Sequence, residues 1–522
     1  MPLSYHATRN NYLLDSKVNI TFDETHHMNK RQFGDWVKSL RKEIIYAWDK
    51  LGLPPKLGMT DDQIVRDFER LVRLDTSTLK KYDQQTNGWD CLIAPPNTGA
   101  GCLAFFPNIQ KTKDIQGKDL TGYSLYDLFS DNSNLTRLTN SLHRLYQTDK
   151  LYAFSRCVVA NKEMGGISEK TGKNWITEFQ KNRPKEYGNW DFWIEPTVSS
   201  SKNKMPQGTL ISVSKKEILE LEGKGLLTKK HLLHVKFKDF SVAHRFRVRL
   251  YKKGQKVIEK GIRFFNTSLV QGGSNFPPTI SKFIYQHFTE DLKDQETIVV
   301  YDPSSGFGGR ILGALSLCED RHIHYVGTDP NPDNFLPEIE RTRYEYLGGY
   351  FQSHIKRKYK TTYDLYTLGS EVIHKDRRFQ GYKGLIDFVF TSPPYFAAEG
   401  YSEDENQSFK KFPNYSDWRD GFLHQTLKTS VEYLKSKRFL AFNIADVGFS
   451  GNHYPLEHDS IEILQSLGMD YIGKFKMVLA ITPGSNKMDT QSRLPTTKNF
   501  CQVNGIWRKY EPIFYFRKPE EK

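Results

Sequence analysis

Cysteine is scarce in this chain and does not cluster. Five cysteines in 522 residues (Cys91, Cys102, Cys157, Cys318 and Cys501) are scattered, with no C-x-x-C pair. That spacing argues against a disulfide framework and a thiolate zinc site, and it suits a reducing compartment. The histidines show no H-x-x-x-H or similar spacing, so no structural metal is expected. No run of eighteen apolar residues occurs, which sets aside a membrane-spanning helix. The opening "MPLSYHATRNNYLLDSK" lacks a basic stretch followed by an apolar one, so no secretory leader is expected and a cytoplasmic setting is. There is no internal repeat, no long low-complexity tract and no G-x-x-x-x-G-K-[ST] loop, the last excluding a P-loop.

What the chain does have is positive charge, unevenly placed. The formal net charge is +14. Residues 1–270 hold 44 basic and 29 acidic side chains, whereas residues 271–522 hold 31 and 32. Within the first part, residues 201–270 alone carry 17 basic and 5 acidic residues. Such a concentration beside a near-neutral remainder fits a polyanion-binding surface, with a solvated basic face as the plainer alternative. The length exceeds one compact core, so two or three domains are expected.

Residues 28–50 space Phe33, Trp36, Val37, Leu40, Ile44, Ile45 and Trp48 near one helical face. "GLPPKLG" ends that helix, and "TDDQIVRDFERLVRL" opens another with Thr60 placed as its cap. "SLYDLF" and "NLTRLTNSLHRLYQT" read as further short helices, so residues 1–189 form a helical region of unassigned role. Residues 190–270 read differently. "HLLHVKFKDF" and "AHRFRVRLYKK" alternate with period two, as strands do. In the second, Phe246, Val248 and Leu250 share one face, and Arg245, Arg247 and Arg249 share the other. These arginines, with Lys236 and Lys238, are the candidate nucleic-acid contacts, with an ordinary solvated strand face as the alternative. "QGGSNFPP" (271–278) marks a boundary, and residues 271–522 form the third region.

That third region alternates apolar strands with helices: "TIVVYDP", "HIHYVGTDP", "LIDFVFTSPP", "RFLAFNIADV", "MDYIGKFKMVLAI" and "EPIFYFRK" are the strands. The pattern predicts an α/β, Rossmann-like, mostly parallel doubly wound sheet, preceded by an α+β N-terminal region. Ligands of such sheets sit at the carboxyl ends of the strands. There the first strand runs into "YDPSSGFGGR", where Gly306, Gly308 and Gly309 allow a sharp turn and close approach to a ligand. The second strand ends at Asp329, placed to accept hydrogen bonds from ribose hydroxyls. Asp302 opens the loop where a diphosphate site would have glycine. A carboxylate suits a cationic, amino-bearing ligand, which favours S-adenosylmethionine over NAD.

In order, these residues resemble the exocyclic-amino DNA methyltransferases, which act on N4 of cytosine or N6 of adenine. The resemblance runs from about residue 275 to 522. "NFPPTISKFIYQHF" is similar to the segment that meets the methionine end of the cofactor, implying roles for Asn275, Pro278 and Thr279. "DPSSGFGGR" resembles the D-P-F-x-G-x-G cofactor loop, implying Asp302, Pro303, Ser304, Gly306 and Gly308. "GTDPNP" resembles the ribose-binding strand end, implying Asp329 and Asn331, and "LGSEVI" the adenine contact, implying Glu371. "TSPPYF" matches the catalytic [DNS]-P-P-[YFW] motif, implying Ser392, Pro393, Pro394 and Tyr395. Two positions depart from the pattern. Ser304 stands where phenylalanine is usual, and Ser370 where an acid is common. No large insert fits between or after the motifs, so target recognition falls to the basic N-terminal half.

The chemistry asked of "SPPY" follows from the substrate. The lone pair of a ring amine is delocalised, so the site must hydrogen-bond its hydrogens and hold the nitrogen in line with the methyl–sulfur bond. The Ser392 side chain and the Pro393 carbonyl suit the first task, the rigid ring aiming that carbonyl. Tyr395 suits stacking on a flipped base. No metal and no cysteine nucleophile is required, which argues against C5 methylation. Serine at 392 leans towards N4 of cytosine, with N6 of adenine the alternative. An RNA or protein-amide methyltransferase, an inactive DNA-binding protein and a fused nuclease are the competing readings. The resemblance implies double-stranded DNA as partner and admits a cognate restriction endonuclease. The polar segments 396–418 and 482–500, the latter with Lys487, Arg493 and Lys498, are expected as loops near cofactor or DNA.

Overall fold

The structure is a computed structural model. It describes residues 11–12, 28–52, 59–114 without 97, 123–139 without 137, 273–479 without 356, 403, 450 and 451, and 498–520. It also describes the backbone of three strands at 154–160, 190–196 and 244–252. The strands, in chain order, are β1 (Lys80–Asp83), β2 (Gly88–Leu92), β3 (Lys113–Asp114), β4 (Phe154–Ala160), β5 (Trp190–Pro196) and β6 (His244–Lys252). There follow β7 (Ile298–Asp302), β8 (Ile323–Thr328), β9 (Phe335–Leu336), β10 (Arg341–Thr342), β11 (Thr362–Tyr366) and β12 (Ile386–Thr391). The last are β13 (Glu399–Gly400), β14 (Leu434–Asn443), β15 (Val447–Phe449), β16 (Asn452–Tyr454), β17 (Asp470–Val478), β18 (Phe500–Val503) and β19 (Ile506–Arg517).

The main sheet has ten strands, ordered β1-β2-β17-β19-β14-β12-β7-β8-β11, with β18 added to β19. From β11 through β8, β7 and β12 to β14 every pairing is parallel. β19 then runs antiparallel between β14 and β17. This is the Rossmann-like, mostly parallel sheet expected from the sequence, with one reversed strand, β19, among the seven from β11 to β17. The composition of β12 explains its central place. All six residues of "IDFVFT" are buried, as in a parallel strand covered by helices on both faces. The chain leaves β7 for β8 and β11 on one side, then returns to β12 on the other. That reversal is a switch point, where such sheets open a crevice at the carboxyl ends of their strands.

The helix Pro278–Phe288 packs on this sheet and buries nine of its eleven residues. Its far side meets the helix Asp61–Val72, which begins at Thr60 with a reciprocal cap between Thr60 and Gln63. Lys282 joins the two. Its buried ammonium donates to the carbonyls of Leu71, Val72 and Leu74 at 3.0, 2.8 and 3.0 Å, capping the orphan end of that helix. Burial pulls the Lys282 amine down to about 8.

Two strands from before residue 115, β1 and β2, join this same sheet. β2 runs parallel to β17, with Cys91 opposite Lys476 and Leu92 opposite Met477. Lys476 is buried there, 2.6 Å from Asp83 and 2.7 Å from Asp90. One apolar core takes Ile64, Phe68, Phe105 and Phe106 together with Ile280, Phe283 and Phe390. The opposite face of the sheet is filled by Val389, Phe396, Trp418, Phe442 and Phe514.

A separate antiparallel sheet, β4-β6-β5, takes its first strand from before residue 190. Arg245, Arg247 and Arg249 occupy alternate positions of β6. Lys236 and Lys238 lie outside the described residues. No helix among the described residues is long and apolar enough to cross a membrane.

Candidate active site

A cavity of about 1370 Å³ opens at the carboxyl ends of β7, β8, β12 and β14, beside the switch point. The turn after β7 forms one end. Gly306 and Gly308 have φ of 59° and 78°, the left-handed region that glycine enters without strain. Their surroundings differ. A Cβ on Gly308 would stand 2.4 Å from the Phe106 ring, and one on Gly309 would stand 2.0 Å from the Phe276 carbonyl oxygen. A Cβ on Gly306 would meet nothing nearer than 3.6 Å. Gly308 and Gly309 thus serve close packing, and Gly306 is the glycine that leaves room for a ligand.

Asp329, at the end of β8, ties this turn down. It accepts from the Gly306 and Asn331 amides and from the Tyr344 hydroxyl, each at 2.9 Å. Burial pushes its carboxyl up, and those hydrogen bonds oppose the push. Asn275 lines the same end, its side-chain oxygen 3.2 Å from the Gly309 amide. Pro303, Ser304, Asn331 and Glu371 also line the cavity, Glu371 in a 2.8 Å ion pair with Lys411.

Four residues picked from the sequence stand elsewhere. Pro278, Thr279 and Gly308 do not reach the cavity wall; the two helical residues are buried in packing. Asp302 does not reach it either. It is fully buried, 2.8 Å from the Arg310 Nε and 2.6 Å from the Tyr325 hydroxyl, so its charge is taken up within the protein. Arg310 was the last letter of the quoted loop and carried no assignment. It is buried, it lines the cavity, and its Nη2 has no hydrogen-bond partner among the described residues.

The other end of the cavity is the turn after β12. Ser392, Pro393, Pro394 and Tyr395 all line it. The prolines end the strand, and Phe396 follows at φ 51°, its ring packed on Trp418 and Tyr454. A phenylalanine in the left-handed region is strained, and the surrounding rings hold it there. Asn443, the last residue of β14, faces this turn. Its amide nitrogen donates to the Pro512 carbonyl at 2.9 Å, which orients the amide oxygen towards the Ser392 hydroxyl at 3.3 Å and the Tyr395 hydroxyl at 3.2 Å.

The Tyr395 hydroxyl also lies 3.4 Å from Glu511, at the start of β19's apolar run. Burial, and then the charge of Glu399, push the Glu511 carboxyl up. Glu399 accepts from Tyr401 at 2.8 Å. Asn443, Glu511, Glu399 and Tyr401 carried no assignment from the sequence. The signal available for the first two was a polar residue at the end of an apolar strand, on the edge where ligands bind.

The two polar segments fare differently. In 396–418, β13 pairs with β3 and Trp418 is fully buried, while residues 398–409 without 400, 403 and 405 line the cavity. In 482–500, Lys487 and Arg493 lie outside the described residues. Lys498 bonds Asp446 and stands 3.6 Å from Glu457.

Among the described residues, two clusters have metal-ligand composition: Asp83, Asp90 and Cys91, and His458, Asp459 and Glu462. The Lys476 ammonium already bridges the two acids of the first.

No family model matches the chain, and no curated protein matches it. Solved structures do. A protein of Thermus thermophilus, provisionally named a DNA modification methylase, is 18% identical over 30% of this chain and 54% of its own, with a TM-score of 0.19. The same protein complexed with S-adenosyl-L-methionine is 20% identical over 27% of this chain and 50% of its own, with a TM-score of 0.18. A SAM-dependent methyltransferase of Methanosarcina mazei is 13% identical over 44% of this chain and 97% of its own, with a TM-score of 0.25. The chain thus spans about half the length of the Thermus protein. At these values the likeness concerns fold alone.

Proposed function

We propose that this chain is an S-adenosylmethionine-dependent methyltransferase acting on an exocyclic amine of a base flipped out of DNA. N4 of cytosine is the first choice of amine. The observation that carries the reading is the convergence of two distant segments on one cavity: the Gly306–Asp329 turn at one end and Ser392–Tyr395 at the other.

The residues present fit the cofactor. Gly306 leaves space beside the turn, Asp329 offers carboxylate oxygens for a ribose diol, and Glu371 and Asn331 stand on the same wall. When bound, the sulfonium supplies the methyl group and a good leaving group. The chain's own part is positioning. Ser392 and the Pro393 carbonyl accept the amine hydrogens and localise the nitrogen lone pair. Asn443 holds the Ser392 and Tyr395 hydroxyls in register through its oriented amide. The Tyr395 ring stacks on the base, with its hydroxyl tethered at the back of the pocket. The basic strand β6, with Arg245, Arg247 and Arg249, contributes phosphate contacts, and a cognate restriction endonuclease is the partner this role suggests.

Expression in a host without DNA methylases, followed by mapping of modified bases, tests the reading. The expected result is N4-methylcytosine within one short motif. N6-methyladenine would move the assignment to the other base. Unmodified DNA, together with no thermal shift on adding S-adenosylmethionine, would overturn it.

A further inference from the structure

We infer that the Arg310 guanidinium binds the α-carboxylate at the amino-acid end of the cofactor, with Asp302 as its positioning residue. The inference rests on the cofactor reading above and goes past it, because it exchanges the roles that the loop sequence suggests. There, Asp302 meets a cationic ligand directly. In the structure Asp302 is occupied by Arg310 and Tyr325, and Arg310 is what lines the cavity.

Three observations carry it. The Arg310 side chain is only 4% exposed, yet Nη2 has no partner among the described residues. A buried charged donor left unpaired is costly, so a site of this kind is completed by an acceptor. Second, glycine at 306 keeps a side chain from crowding that nitrogen. The nearest atom to a Cβ built on Gly306 is Nη2 itself, at 3.6 Å, so Gly306 shares a surface with it and covers it with no side chain. Third, the guanidinium is held from two sides, by the 2.8 Å bond from Nε to Asp302 and by the Phe276 ring 5.7 Å away. A buried guanidinium fixed in this way, on the wall of a cavity and with one nitrogen unpaired among the described residues, is suited to a carboxylate.

Calorimetric titration with three probes tests it: S-adenosylmethionine, its decarboxylated analogue and methylthioadenosine, which lacks the whole amino-acid end. The natural protein should bind the first at least about tenfold more tightly than the second, the value of a charge-assisted hydrogen bond. In Arg310→Gln that preference should fall to within about twofold, while methylthioadenosine binds as before and reports an intact fold. Removing one partner of a buried pair can unfold a protein. The paired variant Asp302→Asn, Arg310→Gln strands no charge and should show the same lost preference. If either folded variant keeps the natural preference, the inference is wrong. If the natural protein binds none of the three probes, the cofactor reading fails, and this inference fails with it.

Discussion

The two ends of the cavity are built differently. At the β7–β8 end the two acids are already satisfied: Asp329 takes three donors at 2.9 Å, and Asp302 takes Arg310 at 2.8 Å and Tyr325 at 2.6 Å. Gly308 and Gly309 there are pressed against Phe106 and Phe276 with no room for a methyl group. At the β12–β14 end the contacts are long. Ser392, Tyr395, Asn443 and Glu511 stand 3.2 to 3.4 Å apart, and two acids, Glu399 and Glu511, repel one another nearby. One end is formed in advance of its ligand. The other keeps its hydroxyls weakly engaged, which suits groups that turn to an incoming ligand.

The contrast can be broken at either end. The largest expected effect is at the loose one. Ser392→Ala should lower methyl transfer by about a hundredfold or more, as loss of a transition-state hydrogen bond does, with cofactor affinity within about twofold. A variant that transfers at the natural rate would remove Ser392 from the mechanism. Next comes the rigid end. Gly309→Ala places a methyl group 2.0 Å from the Phe276 carbonyl oxygen and should destabilise the fold by about 1–3 kcal/mol in denaturant titrations, weakening cofactor binding as the loop shifts. An unchanged unfolding midpoint would show that this turn yields more than its packing implies.

The smallest effect concerns pH. The Glu511 carboxyl titrates above its ordinary 4.5 in the fold, because burial and then Glu399 disfavour its ionised form. The fold therefore holds a proton that the unfolded chain gives up. The associated stability is complete below the ordinary value and is lost as pH rises through the raised one. Glu511→Gln should then melt higher than the natural protein at neutral pH, with the gap closing in acid. Parallel melting curves across that range would show that Glu511 ionises freely.

What could be read in the sequence follows the same division. Contiguous features were legible: the turn after "TIVVYDP", the acid after "HIHYVGT" and the prolines after "LIDFVF" sit where their strands end. Thr60 caps its helix as its position suggested. Features made by pairing were not. Asn443 lies 51 residues from Ser392, and Glu511 lies 116 from Tyr395, with no local pattern tying either pair. Arg310 is only eight residues beyond Asp302, but their mutual neutralisation depends on a turn whose shape the letters do not state. β11, "TYDLY", escaped notice because an edge strand is half exposed and carries a charge in its middle. Residues 80–92 lie in a stretch that reads as helical packing, yet they form a hairpin in the main sheet; their partner strand lies nearly four hundred residues away, as the Lys476–Asp83 bond shows.

That hairpin bears on how the protein is made. β2 leaves the ribosome early and pairs with β17, which leaves it late, and Gln84 waits longer still for Gln502. Until then Asp83 and Asp90 have no Lys476 between them, and an edge built to be covered stays open. Such long-range closure comes slowly, after the central strands have assembled. The nascent protein thus completes its sheet where β2 meets β17, and a chain cut short before β17 would leave that border unsealed.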